Sequence, residues 1–219
     1  MAGIWTATRS DEELGQKAYV NVRLLDPTTN LDAKCDAKGG LLTNGEKIAA
    51  LGADIFKNGT PEGAEVIDCG AHCLCPGLVD IRVQVREPGY EHKGTIESAG
   101  RSATAGGVTT MVCLPNTNPI ISDMSQVEFV ARRARKIGLA KIYPYAALTK
   151  DLKGMELTEI GILAESGAVA FTDGDKAIAN AQVLSRALSY ARTFDLLIVQ
   201  HPEEPSLVSV GGMNSGETA

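Results

Sequence analysis

The stretch DIRVQVREPG, residues 80–89, alternates polar and β-branched side chains. Four polar residues occupy every second position: Asp80, Arg82, Gln84 and Arg86. Successive side chains of a strand point to opposite faces of its sheet, so the pattern predicts a strand with one polar face. That face either meets solvent or lines a site, and the rest of the sequence has to decide between the two.

Composition excludes several classes of protein. The chain has 219 residues, of which 44% are hydrophobic, enough for one large or two small cores. A net charge of −6 argues against nucleic-acid binding, and the densest basic run, residues 132–136, is typical of a solvated helix face. The start of the chain has no apolar leader, and no run reaches the ~18 apolar residues of a membrane span. We therefore predict a soluble, cytoplasmic protein that binds neither nucleic acid nor membrane.

The segment CGAHCLC, residues 69–75, offers four candidate metal ligands: Cys69, His72, Cys73 and Cys75. Zinc sites usually combine paired ligands from two separated segments, and no second pair follows this one. The segment also continues an apolar run in which cysteine behaves as a small hydrophobic residue. A structural role is favoured, and a metal site is the alternative.

Three regimes follow one another along the chain. Residues 1–17 are polar and patternless, which predicts a loose tail. Residues 18–76 contain short apolar runs separated by turn signals, among them Asn44-Gly45, and predict a small antiparallel β-sandwich unit. From residue 77 to 219, strands alternate with amphipathic helices, predicted near 92–105, 125–137, 157–165 and 181–193, which indicates parallel βαβ units.

The predicted α/β architecture of residues 77–219 is a barrel rather than an open sheet. Its strands turn polar where they end, at Gln84, Arg86, Asn116, Thr149, Asp173, His201 and Glu203. In a barrel these ends converge on one mouth. Five strands are present where a (β/α)8 barrel has eight, so the expectation is an incomplete (β/α)8 TIM-type barrel. Its open sheet edges would invite association, including a homo-oligomer.

Several segments resemble dihydroorotase, of the amidohydrolase superfamily. They are PGLVD with the strand after it, REPGYEHKGTIESA, AGGVTTMVCLPNTNP, AVAFTDG, HPEEP and GGMNSGE, in the order of the family. The resemblance implies a small β-sandwich beside a (β/α)8 barrel that holds one or two zinc ions. It also implies interconversion of N-carbamoyl-L-aspartate and dihydroorotate in pyrimidine biosynthesis, which is hydrolysis or closure of a cyclic amide.

The resemblance fails at the metal motif. The family carries HxH on the first strand, and Arg82 and Gln84 stand there instead. Arginine has no lone pair to offer, and a glutamine carbonyl suits hard cations better than zinc. The resemblance places two further metal ligands at Asp173 and His201, which would be vestigial. The remaining ligand of the family comes from later strands, so we expect no zinc or other cofactor and predict an Arg82–Asp173 ion pair in place of the metal.

The family residues that hold the substrate carboxylate correspond to Arg86 and Asn116. The alternatives are a salt bridge from Arg86 to Glu87 or Asp80, a turn role for Asn116 and a capping role for Asp173.

Three hypotheses follow for the chain. It is an inactive dihydroorotase homologue that associates with aspartate transcarbamoylase, as some inactive members of the family do. Alternatively, it is an active dihydroorotase or related cyclic amidase whose metal site another chain completes. The third alternative is a truncated gene product without independent function. Turnover with added zinc and bound metal in an oligomer distinguish the first two hypotheses, and the downstream coding sequence tests the third.

Overall fold

The structure is a computed structural model that describes residues 15–26 and 39–208. The chain divides into two compact units, Met1–Gly77 and Leu78–Ala219. Most of the predicted tail, residues 1–17, lies outside the described residues, as does GGMNSGE. The first strand begins at Gln16, two residues before the predicted start of the β unit.

The first unit is a five-stranded mixed sheet. Its strands are β1 (Gln16–Leu24), β2 (Gly39–Asn44), β3 (Lys47–Ala53), β4 (Glu65–Asp68) and β5 (Cys73–Leu74). The order is β3-β2-β1-β4, and β5 also pairs with β1. β2 pairs antiparallel with β1 and β3, whereas β4 and β5 run parallel to β1. The prediction of an antiparallel unit is therefore wrong for β4 and β5.

The parallel pairing follows from the path of the chain. Residues 54–64 carry it from β3 back to the start of β1, so β4 runs in the same direction as β1. β1 then changes partner, from β4 to β5, around Asn21, whose φ of 52° interrupts the extended backbone. The predicted hairpin is present, with Asn44 opposite Lys47 and Gly45 at a φ of 58° in the turn between them.

The second unit alternates strands and helices, as predicted. The strands are β6 (Leu78–Val83), β7 (Val108–Cys113), β8 (Lys141–Pro144), β9 (Ala146–Ala147) and β10 (Phe171–Thr172). β6, β7 and β8 form a parallel sheet in that order, and β9 and β10 form a parallel pair. A parallel bridge from Phe171 to Ile198 extends the succession. The α/β class is confirmed, although the described strands do not close into a barrel.

The helices of the second unit are α1 (Ile96–Ala105), α2 (Met124–Ile137), α3 (Ile160–Glu165) and α4 (Ala181–Thr193). α1 begins later than predicted because Thr95 and Ser98 form a capping box that satisfies its first amides. α3 begins three residues after its predicted start, because Leu157 is held in a β-bridge with Thr149. Asn180 caps α4 through the amides of Gln182 and Val183.

The core of the second unit lies between strands and helices. Val112, Leu114, Tyr145 and Ala170 form one buried cluster, on neighbouring strands of the succession. Phe171, Ile96 and Val127 are also fully buried. In the part of the chain that the structure describes, no helix is both long and apolar enough to cross a membrane.

Candidate functional site

The first strand of the second unit contains a bulge that determines where Arg82 points. Asp80 pairs with Met111 and Val83 with Cys113, so Ile81 and Arg82 together stand opposite the single residue Val112. A bulge of this kind re-aims side chains locally. Ile81 and Arg82 line the same cavity, whereas Asp80 and Val83 line another one beside Ala99 and Ala103 of α1.

The predicted common polar face is therefore wrong at Asp80. The strand period of two holds only where pairing is regular, and the bulge shifts the alternation by one residue. The Asp80 carboxylate instead accepts a hydrogen bond from the backbone N–H of Arg82, 3.0 Å away.

The Arg82 cavity, of about 150 Å³, is lined by residues from several strands, among them Ile81, Arg82, Leu114, Thr172, Gly174 and His201. None of its lining residues is acidic. Arg82 forms no ion pair with any residue that the structure describes. The cavity therefore combines an apolar wall with one unneutralised guanidinium.

Asp173 is engaged elsewhere, so the predicted ion pair with Arg82 is wrong. The Asp173 side chain is 2% exposed, and its Oδ1 accepts the backbone N–H groups of Leu148 (3.1 Å) and Thr149 (2.8 Å). Its Oδ2 accepts the hydroxyl of Thr149. Burial raises the pKa of Asp173, although the hydrogen bonds from Thr149 and Leu148 act in the opposite direction. The carboxylate joins the segments that follow β9 and β10.

His201 lines the cavity, and its side chain is partly exposed to solvent. Its ring is 25% exposed, and Nε2 lies 3.3 Å from Oε2 of Glu203. The residues around it do not fit a zinc site: Arg82 has no lone pair, and both oxygens of Asp173 already accept hydrogen bonds. Within residues 15–26 and 39–208, no group of three or more His, Cys, Asp and Glu side chains could hold a metal ion.

Arg86 follows the strand in a turn with a φ of 71°. Its guanidinium donates to the side-chain oxygen of Gln84, and it forms no ion pair with Glu87 or Asp80. The alternative of a salt bridge is therefore wrong, and Gln84 orients Arg86. The role of Arg86 toward a substrate carboxylate stays a prediction.

Glu87 is a buried anchor for this turn. It is 6% exposed. Its Oε2 accepts a hydrogen bond from the backbone N–H of Ile96 (2.7 Å), and its Oε1 accepts one from Nε–H of Arg133 (3.0 Å). Arg133 thus belongs to an ion pair that joins α2 to the turn, and the prediction of a solvated basic face is wrong at this residue. Arg132, by contrast, is exposed and lies 3.8 Å from Glu128 on the same helix.

Asn116 lies in a loop that packs against the Arg86 turn. The loop and the turn meet where the N–H of Asn118 donates to the carbonyl of Pro88 (3.0 Å). Gly89, with a φ of 93°, approaches so closely that a Cβ atom there would lie 2.0 Å from the Asn118 carbonyl oxygen. Asn116 itself is near Gly174, at the edge of the Arg82 cavity. Its side chain makes no hydrogen bond with a described residue, so its role stays a prediction.

The cysteine segment forms no cluster. Cys73 and Cys75 are exposed, so the prediction that they act as small hydrophobic residues is wrong, whereas Cys69 packs against Val22 and Leu24. His72 contacts the carbonyl of Cys69 through Nδ1 at 2.7 Å.

The sequence alone did not reveal Thr149 and Arg133 as partners of the site. Each acts across a long separation, 24 residues to Asp173 and 46 to Glu87. The available signals were Thr149 at a strand end and an arginine at an otherwise buried helix position. Neither signal identifies the partner.

Comparison with known proteins places the chain in a family. The family model described as "Dihydro-orotase-like" matches residues 71–219. The chain is similar to "Dihydroorotase" of Ehrlichia chaffeensis, with 44% identity over 91% of this chain and 43% of the relative. It is also similar to "Dihydroorotase" of Wolbachia from Brugia malayi, with 41% identity over 99% of this chain and 48% of the relative. The chain thus spans less than half the length of these relatives.

Solved structures agree on the fold. An L-hydantoinase (dihydropyrimidinase) from Arthrobacter aurescens matches with a TM-score of 0.64 and 21% identity, over 83% of this chain and 39% of that one. A D-hydantoinase matches with a TM-score of 0.60 and 20% identity, over 86% and 40% of the two chains.

Proposed function

The chain belongs to the dihydroorotase-like family, and on that premise we propose that it serves pyrimidine biosynthesis as a non-catalytic homologue that binds ligand. One observation carries the proposal: the position of a metal-binding histidine holds Arg82, which lines the cavity without any acidic partner among the described residues. A cation fixed there disfavours a divalent metal ion by charge repulsion.

The chemistry of the family explains why this substitution matters. Opening or closing a cyclic amide needs an activated water and a polarised carbonyl, which a bound zinc ion supplies. An arginine can polarise a carboxylate or carbonyl but cannot act as a base, because its guanidinium does not lose its proton in proteins. Asp173, a second candidate ligand, has both oxygens engaged in hydrogen bonds. The residues of this site would therefore bind a ligand without activating water.

The proposed architecture is the first part of a family barrel. The parallel succession β6, β7, β8 with β9, β10 and Ile198 would supply the first five strands of a (β/α)8 barrel. The sheet of the first unit would be the smaller β domain of the family.

Arg86 and Asn116 would hold one carboxylate of the ligand. A guanidinium and a side-chain amide form a suitable fork for a planar anion. The turn geometry supports the proposal, since Gln84 orients Arg86 and the Glu87–Arg133 pair fixes the next residue.

Turnover of purified protein tests the absence of catalysis. We expect no cyclisation of N-carbamoyl-L-aspartate above background, with or without added zinc, in a spectrophotometric or chromatographic assay. Restoring the motif with the double substitution Arg82→His and Gln84→His should raise zinc affinity. Cyclisation of N-carbamoyl-L-aspartate by the unmodified chain would contradict the proposal.

Association would give a non-catalytic chain its role. We propose aspartate transcarbamoylase of the same organism as the partner, because the resembled class includes inactive chains that assemble with it. Co-elution of the two purified proteins in size-exclusion chromatography is expected, and separate elution at micromolar concentration would contradict it.

A second function, an active cyclic amidase, has one observation in its favour. His201 lines the cavity with a ring that is 25% exposed and that contacts described residues by hydrogen bonding at Nε2 alone. The lone pair of Nδ1 could therefore serve a metal site that another chain completes. This alternative predicts about one zinc per chain in a purified oligomer, measured by elemental analysis. Metal-free oligomers would remove it.

A further inference from the structure

The Arg82 cavity carries a positive charge that no described residue neutralises. Its lining contains no aspartate or glutamate. The nearby Asp173 carboxylate accepts three hydrogen bonds from Leu148 and Thr149, and the Glu203 carboxylate lies 3.3 Å from His201. Asp80, two residues away, lines a different cavity beside α1. We propose that the Arg82 cavity binds one carboxylate of a small open-chain dicarboxylate. This inference rests on the proposed function, in which Arg86 and Asn116 hold the other carboxylate.

The shape of the cavity suits such a ligand. A volume of about 150 Å³ accommodates a molecule of a few heavy atoms, comparable to the cavity volumes that bind benzene-sized ligands. Its wall is apolar at Ile81, Leu114 and Val199, and its polar side chains besides Arg82 are Tyr145, Thr172, Gln200 and His201. Arg82 is exposed, and a guanidinium is more weakly hydrated than a lysine ammonium and matches the geometry of a carboxylate, which favours a bidentate pair.

The bulge in β6 aims Arg82 at this position. Without it, Ile81 and Arg82 would point to opposite faces of the sheet, and only one of them could line the cavity. With it, both line the cavity together with Leu114 and Tyr145, two members of the buried cluster of the unit. The backbone bulge therefore directs the Arg82 guanidinium into the cavity. The family resemblance assigns this strand position to a metal ligand.

The proposal predicts a preference between the two ligands of the family. N-carbamoyl-L-aspartate has two carboxylates. Ring closure joins the ureido nitrogen to the carbon of one of them and releases water, so dihydroorotate keeps only one. A site with a second guanidinium gains from the open-chain dianion alone. We expect the chain to bind N-carbamoyl-L-aspartate at least tenfold more tightly than dihydroorotate, the effect of one charge-assisted contact.

Isothermal titration calorimetry of the full chain tests this preference with three probes: N-carbamoyl-L-aspartate, dihydroorotate and succinate. Arg82→Gln should weaken binding of both dicarboxylates about tenfold or more and leave dihydroorotate unchanged. Arg82→Lys keeps the charge but not the fork, so it should retain part of the affinity. The matched control is Arg101→Gln, an exposed arginine of α1 that pairs with Glu97 at 2.8 Å. Thermal melting checks that each variant folds.

The outcomes separate this inference from the proposed function. The inference is supported if Arg82→Gln loses the preference for N-carbamoyl-L-aspartate over dihydroorotate while Arg101→Gln keeps it. Equal binding of N-carbamoyl-L-aspartate by the parent chain and Arg82→Gln overturns it, while the proposed ligand class stands. Binding of succinate through Arg82, without binding of either pyrimidine intermediate, supports the dicarboxylate cavity and overturns the proposed function. Failure to bind any of the three probes overturns both.

Discussion

At the scale of single residues, Arg82 and Asp173 have different surroundings, although the family resemblance assigns both positions to metal ligands. A metal ion and an arginine both bring positive charge, but only the metal accepts lone pairs from histidine and carboxylate. With Arg82 in place, Asp173 is buried in hydrogen bonds with Thr149 and Leu148. Its carboxylate joins the segments that follow β9 and β10.

Gly89 is expected to be essential for the contact between the Arg86 turn and the Asn116 loop. Gly89→Ala adds a Cβ atom 2.0 Å from the carbonyl oxygen of Asn118, so the backbone must shift. The matched control is Gly107→Ala, which also has a positive φ but open space around the added atom. Both lose about 1–2 kcal/mol from the left-handed backbone, and Gly89→Ala should lose ~1–3 kcal/mol more from overlap. Urea unfolding measures the difference, and equal losses would contradict the contact.

The Glu87–Arg133 pair is expected to matter more than its neighbour on the same helix. Arg133→Met leaves the buried carboxylate of Glu87 with one hydrogen bond from the described residues, that from the N–H of Ile96, and should lower the free energy of unfolding by about 1–3 kcal/mol. Arg132→Met removes an exposed pair with Glu128 and should cost less than about 0.5 kcal/mol. Chemical denaturation of both variants tests this order. A loss in Arg132→Met as large as that in Arg133→Met would refute the anchoring role.

At the scale of elements, Asp123 caps α2. Its carboxylate accepts the N–H groups of Ser125 (2.8 Å) and Gln126 (3.2 Å) and the hydroxyl of Ser125 (2.7 Å). Asp123→Ala should therefore lower the free energy of unfolding by about 1 kcal/mol at pH 7, whereas Asp123→Asn keeps a capping oxygen and should lose only a few tenths. Thermal or urea unfolding of the three proteins measures the cap.

The same cap should depend on pH. Burial tends to raise the pKa of Asp123, but the hydrogen bonds from Ser125 and Gln126 outweigh it, so the folded pKa lies below its ordinary value. The stabilisation is then present above the unfolded pKa, about 4, and is lost as pH falls through the folded value. Asp123→Asn does not titrate. The parent chain should therefore lose its advantage over this variant below about pH 4, and a constant difference would contradict the assignment.

The sequence predicted elements better than their local irregularities. Amphipathic periodicity placed α2 and α4 almost to the residue, because this signal lies within the helices themselves. The bulge at Ile81 and Arg82 depends on the partner strand and has no local signal, so the predicted face of Asp80 was wrong. The partners of Asp173 and Glu87 are distant in sequence, and alternation cannot identify them.

At the scale of the whole molecule, β6 is an edge strand of the three-stranded parallel sheet that the described residues form. Two large apolar side chains of this strand, Leu78 and Val79, are more than half exposed, and Ile81 beside the Arg82 cavity is 62% exposed. Parallel sheets are usually buried on both faces, and an open edge offers unpaired backbone groups to another chain. If the chain is non-catalytic, as proposed, this edge offers a surface for assembly. The edge therefore supports the proposed association with a partner.

Charging this edge should therefore reduce self-association. Val79 is 61% exposed on β6, and Val79→Lys places a cation where a neighbouring strand would pair. The matched control is Leu188→Lys on α4, where the parent leucine is 53% exposed but lies away from the sheet edge. Sedimentation velocity at several concentrations should show a smaller average mass for Val79→Lys than for the parent chain, and no change for Leu188→Lys. If Leu188→Lys lowered the mass as much, general surface hydrophobicity rather than the β6 edge would drive association.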